Sequence, residues 1–314
     1  MLKFILALFI FLFSSGLFAQ QKKIAITIDD LPFVRSGMFS SETLVQKTDS
    51  LLTALSRYHA PATGFVNMTK VYNEGEFDSV QFNLLRQWLG KGFDLGNHTF
   101  SHPDYNNVSF STFAAEIEKN ERAMQPLMKE YNQSMPYFRH PFLHRGDSQV
   151  KADSLAQYLR SRKYTEAPVT IDNAEWIFAA AYDSVLKTQD QILALHIGDE
   201  YVSYMEKKLI FYEGQSVKLF GRNISHILLI HANSLNSANM DYLLSMFAGN
   251  GYAFVSLAEA LTDKAYNSED KYYRRGGISW LDRWAFTRGE GRDFFIGEPV
   301  CPAFVMKLAK VDSE

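Results

Sequence analysis

Short β-branched or apolar runs alternate along the chain with stretches whose apolar residues recur every three to four positions. Lys23 to Ile28 (KIAITI) predicts a strand that ends in acids, and Ser41 to His59 carries Leu44, Thr48, Leu51, Leu52 and Leu55 at helical spacing. Ala62 to Val66 predicts a second strand. Val80 to Leu89 predicts a helix with Leu84, Leu85, Trp88 and Leu89 on one face, stopped by Gly90-Lys91-Gly92 before a brief strand at Phe93 to Gly96. Phe110 to Tyr131 predicts a longer helix, which Pro126 is expected to kink or restart. Pro136 to Arg139, Pro168 to Ile171, His226 to Ile230 and Tyr252 to Val255 read as further strands. Strands spaced by helices argue for parallel βα units, hence an α/β barrel or a doubly wound sheet.

The two ends of the chain break this rhythm. Lys3 followed by the apolar run Phe4 to Phe13, then Ser14-Ser15-Gly16 and Ala19, has the charge, length and exit site of a secretory signal peptide. Ten apolar residues fall short of the ~18–20 that a spanning helix needs. The expectation is therefore an exported protein, in the periplasm, cell envelope or medium, with no integral membrane anchor after cleavage. From about Ala265 the periodicity fails while aromatic residues stay frequent. The domain reading is a signal peptide at 1–20, a main α/β domain at 21–264 and an extension packed on it at 265–314. Two readings of the extension's aromatic residues stay open: Tyr272, Tyr273, Trp280 and Trp284 line the rim of a site, or they anchor the extension to the main domain.

Composition narrows the function classes. The 314 residues include 32 basic and 35 acidic side chains, a net charge of −3, which gives no electrostatic reason to expect a nucleic acid partner. A single cysteine, Cys301, excludes an intrachain disulfide and a cysteine-based zinc cage. Aromatic residues make up 14% of the chain, with 25 Phe among them, more than a generous core alone requires.

The chemistry-bearing residues gather at strand ends. Asp29-Asp30 follow the first strand, His98 and His102 follow the Phe93–Gly96 strand, Arg139 and Asp172 end two others, and His231 ends the next. In parallel α/β folds the carboxyl ends of the strands share one face, where sites are built. Each signal alone has a bland explanation: an acid pair as a helix cap, a histidine packed in a core, an arginine in an ion pair. Their joint occurrence at successive strand ends argues for one site. Two imidazoles and one carboxylate form a zinc-type set with an open position, and a second carboxylate beside the metal suits a general base. A histidine across the site suits the protonation of a leaving group. Asp29 and Asp30, being adjacent, point differently and divide these roles.

Five segments resemble, in order, the motifs of polysaccharide deacetylases with the NodB homology domain (carbohydrate esterase family 4). Thr27-Ile28-Asp29-Asp30-Leu31-Pro32 is similar to T-F-D-D-G-P, His98-Thr99-Phe100-Ser101-His102 to H-[ST]-x-x-H and Arg139-His140-Pro141-Phe142 to R-x-P-Y. Asp172-Asn173-Ala174-Glu175-Trp176 resembles D-x-x-D-W, and Leu229-Ile230-His231 resembles L-x-H. Leu31, Glu175 and Phe142 depart from the family's glycine, aspartate and tyrosine. The resemblance covers about Lys22 to Asp263 and implies a distorted (β/α) barrel.

It also implies roles. Asp29 is the general base, ion-paired by Arg139; Asp30, His98 and His102 hold a divalent metal, Zn2+ first and Co2+ or Mn2+ as alternatives. His231 is the acid, with Asp172 and Glu175 in its supporting motif, while Pro141, Phe142 and Trp176 contact substrate. The implied reaction is removal of N-acetyl groups from an amino-sugar polysaccharide, peptidoglycan-like or chitin-like, with release of acetate. An O-acetyl esterase or small-amide hydrolase shares these residues, and a non-catalytic glycan-binding protein shares the fold.

Overall fold

The computed structural model describes residues 21–314; the signal-peptide reading of 1–20 lies outside the described residues. In chain order the elements are β1 (Lys22–Leu31), α1 (Ser41–Arg57), β2 (Ala62–Val66), β3 (Tyr72–Asn73), β4 (Glu76–Phe77), α2 (Ser79–Gly90) and β5 (Asp94–Asn97). α3 (Phe110–Glu130), β6 (Tyr137–Phe138), α4 (Gln149–Ser161), β7 (Thr165–Glu166), α5 (Glu175–Leu186) and α6 (Gln191–Phe220) follow. β8 (His226–His231), α7 (Ser234–Gly249), β9 (Tyr252–Phe254), α8 (Leu257–Ala260), α9 (Trp280–Arg288) and α10 (Ala303–Ala309) complete the chain.

The main sheet has the order β7-β6-β5-β2-β1-β8, with β9 also on β1, and every pairing in it is parallel. The sheet closes irregularly. Ala167 still donates to Phe138 beside β7, yet Thr170 and Ile171 already donate to Ile227 of β8, at the opposite edge. Crossing that gap within four residues draws the two edges together, which makes a distorted (β/α) barrel and excludes an open doubly wound sheet. It also explains a correction: Pro168 to Ile171 is no regular strand, because it spans the gap and makes one bridge, Ile171 with Leu228.

Helix starts follow from side chains legible in the sequence. Ser40, Asp78, Ser109, Ser148, Asp190 and Asn233 each accept a backbone N–H from the first turn of the helix behind them. Each such cap contributes about 1 kcal/mol. α3 runs unbroken past Pro126, contrary to a restart there. Pro126 sits on the exposed face, so the carbonyl it leaves unpaired reaches water, while Met124, Leu127 and Met128 hold the turn against the core.

The sheet and the C-terminal segment share one core. Ile24, Ile26, Ile28, Leu228 and Ile230 belong to the same buried cluster as Trp280, Leu281, Trp284, Phe294 and Val305. The tail's tryptophans thus anchor it, and the rim reading fails for them because both rings are buried. No helix among the described residues is long and apolar enough to cross a membrane.

His226 opens β8 without exposed surface, its Nε2 2.8 Å from Asn223 Oδ1 and its Nδ1 3.2 Å from Thr170 Oγ1. Burial pushes its pKa from 6.5 down to about 3. The unfolded chain therefore takes up this proton first, and stability is lost as pH falls from about 6.5 toward 3. Between pH 7 and pH 5 this one group costs about 2 kcal/mol. His226→Gln is expected to shrink the difference between urea denaturation at those two pH values by about that amount; an unchanged difference contradicts the assignment.

Candidate active site and metal centre

Strand register assembles the site. Asp29 on β1 lies directly opposite His231 on β8, and Asn97 at the end of β5 pairs with both Val66 and Phe138. Asp29 and Asp30 fall within β1 itself, one turn of pleat apart from where the strand was expected to stop, since the ladder with β8 continues to His231. Asp30 breaks away from the extended backbone at φ 68°, which turns its side chain out of line with that of Asp29. The left-handed residue is Asp30 rather than Leu31, so the leucine that replaces the family's glycine is buried without that strain.

His98 and His102 lie on a loop, not a helix. Their rings approach to 4.8 Å because Thr99 and His102 both adopt left-handed conformations, at φ 65° and 58°. Strain of this kind costs roughly 1–3 kcal/mol per residue and needs support. Asn97 Oδ1 accepts the Thr99 N–H at 2.9 Å, and Asn67 Nδ2 donates to the carbonyls of His98 and Thr99. Glu116 of α3 accepts the Ser101 N–H and hydroxyl, each at 2.7 Å.

The donor set fits a divalent cation. Nε2 of His98 and of His102 lie 3.9 and 3.8 Å from Asp30 Oδ1, and all three atoms fall within 4.8 Å of one another. Ligands bonded at ~2.0 Å in a tetrahedron stand about 3.3 Å apart, so a small inward movement completes the set. Asp30 Oδ1 is buried without a hydrogen-bond partner in the protein. Nδ1 of His98 stands 2.9 Å from the Arg139 carbonyl, which fixes the proton on Nδ1 and leaves Nε2 as a lone pair. Burial, with His102 beside it, holds the His98 pKa well below 6.5, so the ring stays neutral as a ligand must. Asp30 is held below the usual carboxylate range against the effect of burial, chiefly by Lys70, whose Nζ is 3.1 Å from Oδ2. Lys70 escaped sequence reasoning because a lone lysine in a turn after β2 carries no motif.

Arg139 has no exposed surface. Its guanidinium donates to Thr27 Oγ1 at 2.7 Å, faces Asp29 Oδ2 at 3.6 Å and lies over the Phe65 ring. Burial pushes Asp29 up to about 6, with Arg139 and His231 pulling the other way. Across the site, His231 Nδ1 donates to Glu175 Oε2 at 2.7 Å. Glu175 is fully buried and also accepts from Asn233 and Asn236. Burial disfavours the charged ring, but Glu175, with Asp30 and Asp29 behind it, raises the His231 pKa from 6.5 to about 9. Glu175 is the first residue of α5, whose N-cap residue Ala174 makes no side-chain cap, and its longer side chain still reaches the His231 ring.

The remaining predicted residues surround one cavity of about 800 Å3. Phe142 and Trp176 line it half-exposed, and the Phe142 ring packs 4.5 Å from His102. Pro141 is buried and starts the turn that carries Phe142. Asp172 also lines the cavity; burial raises it to about 6, and its Oδ1 accepts the Asn173 N–H. His144 stands apart, bound to Asp104, and His140 is buried on Glu166.

Residues 19–160 match the polysaccharide deacetylase family. A chitin deacetylase of Arthroderma benhamiae is 24% identical over 153 residues, 49% of this chain and 35% of that protein. A chitooligosaccharide deacetylase of Bradyrhizobium sp. is 31% identical over 78 residues, 25% of this chain and 32% of that protein. The chain thus spans about a third of the length of these curated relatives. A solved peptidoglycan N-acetylglucosamine deacetylase shares the fold, with a TM-score of 0.51 at 16% identity over 77% of this chain and 88% of that one.

Calorimetric titration of chelator-treated protein with Zn2+ near neutral pH is expected to give one site. Asp30→Asn and His98→Ala should each weaken binding at least about tenfold. Undiminished affinity in both variants contradicts the assigned ligands.

Proposed function

We propose, from the match of residues 19–160 to the polysaccharide deacetylase family, that this chain is a metal-dependent hydrolase that removes N-acetyl groups from an amino-sugar glycan. The observation that carries the reading is the pairing of two separated proton carriers around one cation site. Asp29, raised to about 6, sits on one side; His231, raised to about 9, sits on the other. Near neutral pH the first is a base and the second an acid, as hydrolysis of an amide requires.

A cation on Asp30, His98 and His102 supplies Lewis acidity, which acidifies water and polarises a carbonyl. Asp29, oriented by Arg139, takes the proton of the attacking water. The backbone N–H of Phe142 itself helps to bind the oxyanion as the acetyl carbon becomes tetrahedral, because Pro141 has none and that of Leu143 is held by the His140 carbonyl. His231, aligned through Nδ1 by Glu175, gives the proton of its other nitrogen to the departing amine. Water adds to the acetyl carbon, the C–N bond breaks, and acetate and a free amino sugar leave. Trp176 and Phe142 offer apolar faces to the sugar ring. Zn2+ suits two imidazoles and one carboxylate, with Co2+ and Mn2+ as substitutes. The signal read in the first twenty residues directs this reaction to glycans outside the cytoplasm.

Acetate release from chitin oligomers and peptidoglycan fragments, with acetylated xylan as the ester control, tests the reading. Release from the amides should stop with chelator and return with Zn2+. Asp29→Asn is expected to keep the metal and lower kcat at least about 100-fold; full activity in that variant contradicts the base. Glu175→Gln should lower kcat by about tenfold or more at nearly constant KM, because it disturbs the acid rather than binding. A change confined to KM removes Glu175 from that role.

A further inference from the structure

The cavity is not built by the strand ends alone. Its lining continues through Lys208 and Tyr212 of α6 to Gly277, Glu298 and Val300 of the C-terminal segment. Two contacts hold that segment against the site. Gly277 lies so close to the carbonyl of Phe142 that a Cβ there would stand 1.8 Å from the oxygen, so only glycine permits the approach. Phe142 and Leu143 are themselves left-handed, both at φ 56°, and the segment packs directly on this strained turn. At its other end Lys208, buried to 3% exposure, pairs with Glu298 Oε1 at 2.5 Å and faces Glu314 at 3.8 Å. Tyr212 and Tyr204 donate to the same two carboxylates.

A polymer that is deacetylated at internal units must enter and leave the site along a groove. Here one direction out of the site meets residues latched onto a buried lysine. We propose that the C-terminal segment, locked by Gly277 and by the Lys208–Glu298 pair, walls the site into a cavity that accepts a chain end or an oligosaccharide of one or two sugar units. This rests on the deacetylase reading above and adds the size of its substrate. A volume near 800 Å3 falls within the range of about 300–1,000 Å3 that encloses a drug-sized ligand. An N-acetylated disaccharide fits within that space, and a hexasaccharide exceeds it.

The test uses the full chain loaded with Zn2+ and N-acetylglucosamine oligomers of one to six units. kcat/KM is expected to level off after the disaccharide, with the hexamer within about twofold of it, and fragment-ion sequencing should find the free amine only at a terminal unit. A rise of about tenfold or more from dimer to hexamer, or deacetylation at internal units, overturns the proposal. Glu298→Ala opens the wall while Glu314 still faces Lys208, and should raise the hexamer-to-dimer ratio about fivefold or more; an unchanged ratio in a folded variant also overturns it. Calorimetry on Asp29→Asn provides a readout without turnover, with affinity saturating at two units. If that saturation holds while no glycan releases acetate, the deacetylase reading fails and the size limit stands. Affinity that climbs through six units, or no binding of any length, removes the size limit itself.

Discussion

An arginine without exposed surface holds this site together. A guanidinium taken out of water costs several kcal/mol unless it is paired, and the charge facing Arg139 is Asp29, 3.6 Å away. Its backbone carbonyl receives Nδ1 of His98, and its side chain reaches Thr27, whose hydroxyl in turn donates to Leu228 of β8. One residue at the end of β6 thereby touches the proposed base, fixes the tautomer of a proposed ligand histidine and joins the β1–β8 seam. The pair is loose: Nε and one terminal nitrogen of Arg139, and Oδ1 of Asp29, have no hydrogen-bond partner within the protein. A tight bidentate contact would sink the carboxyl far below neutral; this separation keeps Asp29 ordered yet basic.

Strain is concentrated around the same point. Of the twelve non-glycine residues at positive φ among the described residues, five are Asp30, Thr99, His102, Phe142 and Leu143. Asp30 lies in the last turn of pleat of β1, and the other four belong to loops that leave the carboxyl ends of β5 and β6. The fold offsets this with the buried amides of Asn67 and Asn97 and the partly exposed carboxylate of Glu116 beneath the histidines, and with a tail packed over the Phe142 turn. Arg145 and Arg283 meet on Asp270 and extend that support from the turn into α9.

Much of this was legible in the sequence. β2 and the start of α1 fall at the predicted residues because capping serines and apolar periodicity are local signals. The convergence of Asp29, Asp30, His98, His102, Arg139 and His231 was legible because strand ends share a face in parallel folds. Closure of the barrel was not, since Ala167 to Ile171 is defined by partners on two distant strands and not by its own pattern. Nor was the tail's part in the cavity: Lys208, Glu298 and Glu314 are ninety or more residues apart in pairs that only tertiary structure joins. Its tryptophans drew notice as rim candidates, whereas the tail's lining comes from residues such as Gly277, Glu298 and Val300 that carry no distinguishing local signal.

The central claim is a division of labour between adjacent aspartates, one for a cation and one for a proton. Anomalous diffraction from crystals of the Zn2+-loaded protein tests it most directly. The account predicts one strong peak bonded to Asp30 Oδ1 and to Nε2 of His98 and His102 at about 2.0–2.2 Å, with Asp29 unligated and still facing Arg139. A peak bonded to Asp29, or a cation that bypasses either histidine, would contradict it.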